Sequence, residues 1–471
     1  MLPSTEYPRI SGRATAISIF LATLAAAAFA VVLAASWEGP EAVRAVAWGV
    51  AGVLGCVLLV LLFKWVMRWF GRQELFSPFI AFPIAYAIWF ALGSLTLFDE
   101  RNPMVLQYSG IGLVCYLAGV LLVGMRKALR RPTLIVQNEW NNPRFWLVIG
   151  VLGVAALTAY GYIVSRVGII ALDSEAAEKR MDLGNYGPVQ AVLFTATWTI
   201  FVFVVAQLWT HRQSKIVSVV AWGSLVTIAV ILLSLGSRGY LFIPLLTAVI
   251  ARHHLRKPFH VLKLAAISVI MFVGLSFYGY TRDSTVSKPT FSLKEGNATQ
   301  LAIFPAVYAY LYVRQPVETF QEVIRVIPRT IPYQGGQLTF DALRTLLPGH
   351  HEMSDMFFKQ ILGSDFVGGG QPATLLGPLY GDFGLYGIVV GMFLVGSTVA
   401  LTHGWMIRRP TVFRILIFCW LMQTVLFSLF GALIPYITTL WIPLFWWFLD
   451  VLLRQPALQS AKFAPIVPIR T

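Results

Sequence analysis

Charge is what this 471-residue chain has least of: Asp, Glu, Lys and Arg together make up 12% of it. A soluble globular domain carries about 25% charged residues, and a disordered chain is poor in the apolar residues that here reach 57%. Both classes are excluded, and a mean hydropathy of +0.72 places the chain in a membrane. Cysteine is equally scarce. Cys56, Cys115 and Cys419 stand singly in apolar runs, without metal-type spacing or a disulfide framework, and read as small residues of the apolar phase. Neither a Walker-type glycine loop nor D-x-D, H-E-x-x-H or C-x-x-C occurs, which argues against an ATP-driven pump and against a catalytic metal.

Long apolar runs are what the chain has instead. A bilayer is crossed by a helix of about 20 apolar residues. Twelve candidate spans follow: 14–36, 43–63, 76–98, 104–125, 145–169, 188–209, 216–236, 239–251, 258–280, 380–403, 412–431 and 434–453. The first follows Arg9 and Arg13 in the manner of a signal peptide, but the close second span and the charge alternation favour an uncleaved helix. Sorting charges by alternate connections sets 22 cations and 4 acids on one side, near +18, and 14 cations and 17 acids on the other, near −3. The positive-inside rule makes the basic side, with both termini, cytoplasmic. The net charge of +15 is therefore a topological signal, and no nucleic-acid partner is expected.

The connections are unequal. Those on the basic side are short, whereas the one between the ninth and tenth spans covers 281–379 and is expected to be external and ordered into short amphipathic helices. Its segments 316–327 and 338–349 are amphipathic, and 300–313 is too short to span and should lie in the interface, with Tyr308, Tyr310 and Tyr312 at headgroup level. The expected organisation is nine transmembrane helices over 1–280, the loop over 281–379, three helices over 380–453 and a cytoplasmic tail over 454–471.

Charged residues on the external side carry the chemistry, because burying them in a bilayer is costly. Arg238, in SLGSRGYLF, is 14 residues from Arg252, about 21 Å as a helix and short of the roughly 30 Å hydrocarbon core. Gly236, Ser237 and Gly239 allow a backbone break there, with amide donors beside an arginine, a combination that suits phosphate. Snorkelling or helix capping is the alternative reading. Arg282 lies at the external end of the ninth span beside Asp283, its alternative partner. Arg329 lies between Pro328 and Pro332, which fix its direction, whereas Arg314, Arg325 and Arg344 are further loop cations. Arg166 and Arg180 flank an acidic connection that reads as a solvated face. His350 and His351, the external histidines, are candidate proton carriers or a plain surface pair. Asp382 stands near the start of the tenth span, either as a base or as a cap at the helix N-terminus. Gly387, Gly391 and Gly396 read as a close-packing face.

Three passages, SLGSRGYLFIPLL (234–246), IPRTIPYQGGQLTFDALRTLLPG (327–349) and GGGQPATLLGPLYGDFGLYGIVVGMFLVG (368–396), together with the many spans and one large loop, resemble the Wzy-type O-antigen polymerases. The resemblance implies a GT-C-like, all-α polytopic glycosyltransferase of the bacterial cytoplasmic membrane, with its site facing the periplasm or exterior. It implies transfer of a glycan from an undecaprenyl-pyrophosphate-linked donor to a lipid-linked repeat unit, with membrane lipid and a chain-length regulator as partners and no cofactor. Arg238, Arg282 and Arg329 would hold the pyrophosphate, and His350, His351 or Asp382 would act as base. Arg166, Arg344 and Tyr380 are secondary candidates. An O-antigen ligase shares this layout, and a lipid-linked oligosaccharide flippase is a third possibility.

Overall fold

The computed structural model describes residues 75–94, 103–124, 139–172, 183–211, 213–256, 298–344, 354–361, 371–431 and 437–454, with six isolated positions besides. Among them the regular structure is helical: α1 (Ala81–Gly93), α2 (Pro103–Gly124), α3 (Asn142–Val167), α4 (Gly187–Thr210), α5 (Lys215–Ser234), α6 (Arg238–Leu255), α7 (Ala298–Val326), α8 (Asp341–Arg344), α9 (Ser354–Ile361), α10 (Leu376–Arg408), α11 (Val412–Phe427) and α12 (Ile437–Leu453). Five of these, α2, α3, α4, α5 and α10, are long and apolar enough to cross a membrane. The expectation of about twelve spans goes further than this. Spans 14–36 and 43–63, and nearly all of 258–280, lie outside the described residues, and α1, α11 and α12 are apolar but short.

Side-chain caps start three helices. Asn141 accepts the Arg144 amide at 3.2 Å, Ser214 that of Val217 at 3.3 Å and Thr411 that of Arg414 at 3.3 Å. These starts share one end of the bundle with the finishes of other helices: the Asn141 amide donates to the Leu453 carbonyl, Gln207 Nε2 to Asn142 Oδ1, and Arg414 to the Trp405 carbonyl. Arg144, Lys215, Arg252, Arg408 and Arg454 all belong to this basic end. Asp450, 2% exposed, fastens it: its Oδ1 accepts the Trp140 indole N–H at 2.9 Å and its Oδ2 accepts Arg454 at 2.6 Å.

Inside the bundle every backbone polar group needs an internal partner, because lipid supplies none. Pro244 in α6 and Pro443 in α12 each lack an N–H and so release the carbonyl four residues earlier. A tryptophan on a neighbouring helix takes up each one. Trp198 of α4 donates to the Tyr240 carbonyl at 2.8 Å, and Trp420 of α11 reaches the Thr439 carbonyl at 3.4 Å. The same aromatic layer continues through Trp446, whose indole donates to Thr199 at 2.9 Å.

The closest helix pair is α2 with α10. A Cβ added to Gly119 would strike the Phe393 carbonyl, and one added to Gly396 the Tyr116 carbonyl, so the two backbones touch where only glycine fits. Gly387 and Gly391 do not serve this interface: Leu379, from earlier in α10, lies over both.

One expectation for the large loop needs correction. Segments 300–313 and 316–327, expected as separate pieces, run together in one helix, α7. Its buried residues Val313, Val317, Phe320, Val323 and Ile324 lie at helical spacing and continue to Ile327 just past its end, so the packing carries the helix through Pro316. Of the amphipathic stretch 338–349, the described residues 338–344 contain the turn α8, and 345–349 lie outside the described residues.

The tryptophan–proline pairing predicts an interaction measurable by a double-mutant cycle in detergent unfolding. Trp198→Phe should cost about 1 kcal/mol. Pro244→Ala restores the helical N–H to the Tyr240 carbonyl, so in that background the Trp198→Phe penalty should largely vanish. An unchanged penalty would show that the indole acts through packing alone.

Candidate functional site

The first component is the α5–α6 turn. Helix α5 ends at Ser234, Leu235 is buried, Gly236 adopts φ 73°, Ser237 is extended, and α6 begins at Arg238. The positive φ at Gly236 lets the chain reverse in so few residues. Ser237 provides no side-chain cap, so the first N–H groups of α6 form a donor set suited to an anion. The break therefore falls at the glycine-serine-arginine passage where the sequence suggested it. The Arg238 side chain lies outside what is described.

Aromatic packing ties this turn to the entry of α10. Phe242 lies 5.7 Å from Phe427, Phe427 lies 5.9 Å from Phe430, and Phe430 lies 6.4 Å from Trp89 of α1. Gly431, one residue on, abuts Pro372. The following Thr374 holds φ 58°, rare for a β-branched residue, while its hydroxyl accepts the Leu376 amide at 3.2 Å.

The second component is a break in α10. Gly384 has φ 63° and ψ −144°, values that split the helix into a short entering piece and a long following one. The entering piece doubles back, which is why Leu379 covers Gly387 and Gly391. A break exposes carbonyls, and the segment after α7 satisfies them: the Gln334 amide donates to the Gly381 carbonyl at 3.0 Å and the Gly335 amide to the Asp382 carbonyl at 3.3 Å. The Asp382 side chain, 1% exposed, accepts Leu338 N–H at 3.1 Å on Oδ1 and Thr339 N–H at 2.6 Å on Oδ2. Asp382 thus does not cap its own helix, which starts six residues earlier at Leu376; it clamps the loop onto the break.

Beside the clamp, Tyr380 is buried and donates its hydroxyl to the Ile327 carbonyl at 3.4 Å. Tyr108 of α2 and Tyr333 of the loop lie 5.4 and 6.3 Å from its ring, and Phe320 of α7 lies 6.2 Å from it. Four segments therefore converge on one aromatic cluster, with Tyr333 itself 45% exposed. Nothing in the sequence marked Tyr108, Tyr333 or Thr374 as members of this layer. The fully buried Gln423 of α11, whose amide atoms have no hydrogen-bond partner, was equally unmarked.

The other candidates are scattered. Arg329 is exposed on the turn after α7, in the same segment that Asp382 and Tyr380 hold. Arg314 pairs with Glu318, and Arg325 with Glu322 at 2.7 Å. Arg166 is exposed in the last turn of α3, its guanidinium 5.6 Å from the Tyr162 ring. Arg344 closes α8, with its side chain outside what is described. His350, His351 and Arg282 lie outside the described residues. The structure so brings Asp382, Tyr380 and the Arg329 segment together and leaves Arg166 apart from them. Comparison with family models, curated proteins and solved structures finds no match.

The clamp makes two measurable statements. Asp382→Asn replaces one acceptor oxygen with an NH₂ donor facing a backbone N–H, so amide exchange at Leu338 and Thr339 should accelerate by about tenfold or more. Gly384→Ala places a Cβ 2.7 Å from the Tyr333 hydroxyl oxygen, on backbone angles that alanine avoids. It should lower unfolding stability by about 1–3 kcal/mol. Wild-type exchange and stability in these variants would remove the clamp.

Proposed function

We propose that this chain is a polysaccharide polymerase of the bacterial cytoplasmic membrane, acting on lipid-linked repeat units at the face opposite its basic end. The observation that carries the reading is the α5–α6 turn, which sets Arg238 as the first residue of a helix whose leading amides have no side-chain cap. Arginine and helix N-terminal N–H groups together suit the pyrophosphate of an undecaprenyl-linked donor. The Asp382 clamp supports the reading in a second way, since it holds the segment carrying Arg329 against the membrane domain.

In the proposed reaction the acceptor hydroxyl attacks the anomeric carbon of the donor glycan. The bond from that carbon to the phosphate oxygen breaks, and the undecaprenyl pyrophosphate leaves with the bonding pair. Arg238, Arg282 and Arg329 stabilise the charge that develops on it. A base takes the hydroxyl proton. His350 or His351 fills that role in this reading, because both oxygens of Asp382 are engaged by backbone amides. The activated donor supplies the driving force, so no nucleotide enters the step.

Purified protein incubated with an undecaprenyl-pyrophosphate repeat unit should yield a ladder of lengthening products. Arg238→Ala should reduce product at least 100-fold with an unchanged unfolding temperature, and Arg238→Lys should restore part of it. A single transfer to a lipid A core acceptor would identify a ligase, and the absence of any new product with either acceptor would refute the transferase reading.

A further inference from the structure

Two cavities adjoin at the other end of the bundle, where the proposed transfer chemistry has no part. The first, about 560 Å³, lies between α4, α5 and α6 and is walled by apolar side chains such as Phe201, Val205, Leu225 and Leu245. The second, about 320 Å³, is polar and lined by Thr210, His211, Gln213, Ser218 and Arg256. Trp209 lines both, so the apolar groove and the polar cavity lie side by side.

The polar cavity is built of donors. His211 Nε2 and Gln213 Nε2 are enclosed and have no hydrogen-bond partner among the described residues. Enclosed polar nitrogens left without partners cost free energy unless something occupies the site. Arg256 adds a fixed positive charge, and exposed Lys215 opens α5 beside it. Among the described residues, no carboxylate lines either cavity. Burial pushes the His211 imidazole below its usual range, so at neutral pH it meets a ligand as a neutral ring with one N–H. An anion is the ligand that this set of groups recognises.

The geometry adds what the anion is attached to. From the Ser214 cap to Ala229, the far groove residue on α5, is 15 residues, about 22 Å along the axis. One leaflet has a hydrocarbon depth of about 15 Å, half the bilayer core, with the headgroup region beyond it. The paired cavities are therefore one leaflet deep, apolar where acyl chains lie and polar where a headgroup lies. Arg252, over the Phe259 ring at 4.2 Å, guards the boundary between the two.

We propose that the α4–α5–α6 groove binds one anionic phospholipid of the leaflet at the basic end, its phosphate held by His211, Gln213 and Arg256 and an acyl chain lying along Trp209 and Leu225. The site is separate from the turn at Arg238, which lies at the opposite ends of α5 and α6. Its failure leaves the polymerase reading untouched.

Native mass spectrometry of the full-length protein, released from detergent with equimolar phosphatidylglycerol and phosphatidylcholine, tests this directly. Wild type should retain one phosphatidylglycerol in about tenfold preference. The double variant Gln213→Leu, Arg256→Gln should lose the preference, and Ala229→Trp, which fills the groove, should lose retention of both lipids. Equal retention of the two lipids by wild type would overturn the proposal, as would an unchanged preference in the double variant. Inorganic phosphate that raised the unfolding temperature as much as phosphatidylglycerol would mark a phosphate site without a lipid and would also overturn it. The double variant alters partly exposed side chains at the bundle's end, so the test survives if Ala229→Trp fails to fold.

Discussion

Satisfying backbone hydrogen bonds without water is the constraint on which the rest of this structure depends. A helix does this for itself only while it is unbroken. Wherever this chain interrupts a helix, a specific partner appears. The carbonyls released by Pro244 and Pro443 meet the indoles of Trp198 and Trp420. Both tryptophans belong to one ring layer with Trp446, so the two interruptions are solved at a shared level of the bundle. The prolines and the tryptophans are thus parts of one arrangement: each indole meets the carbonyl that its proline releases.

The break in α10 follows the same logic with a larger partner. No single side chain can serve the carbonyls of Gly381 and Asp382, and the backbone of the segment after α7 does so instead. Asp382 reverses the usual relation between a carboxylate and a helix, since it draws in N–H groups from a distant segment and leaves its own helix start uncapped. A buried charge here is tolerated because two charge-assisted hydrogen bonds, at 3.1 and 2.6 Å, replace its hydration. The loop is consequently bound to the membrane domain by backbone geometry, and its side chains are left available for other purposes.

Much of the helical core was legible because the length of each apolar run marks it. The expected spans 104–125, 145–169, 188–209 and 216–236 match α2 to α5 within three residues at each end. The caps at Asn141 and Ser214, which start α3 and α5, were not read from the sequence. The folding of α10 was not legible. Of Gly387, Gly391 and Gly396, read by spacing as a close-packing face, only Gly396 meets another helix, while Gly384 turns the chain. Spacing cannot separate these uses, because a glycine needed for its φ and one needed for its lack of a Cβ are the same letter. Length misled in α7: 300–313 alone is too short to span, and the buried stripe that runs on from Val313 to Ile324 becomes visible only once α1 and α10 are beside it.

The candidate site shows the same boundary between local and non-local information. The turn at Gly236 and Arg238 is a property of four consecutive residues and could be read directly. The convergence of Tyr108, Tyr333 and Tyr380 depends on α2 touching α10 through Gly119 and Gly396, and that contact depends on two glycines 277 positions apart. Charge partition is intermediate in kind. It required no tertiary information to separate a basic end from its opposite, and the contacts among Asn141, Leu453 and Arg454 do gather basic helix ends together. Once that polarity exists, the two ends of α5 and α6 acquire different chemistry from the same helices: a tight turn without a side-chain cap at one, and a polar cavity at the other. A helical hairpin with unlike ends therefore lets the proposed transfer site and the proposed lipid site share one element without either constraining the other.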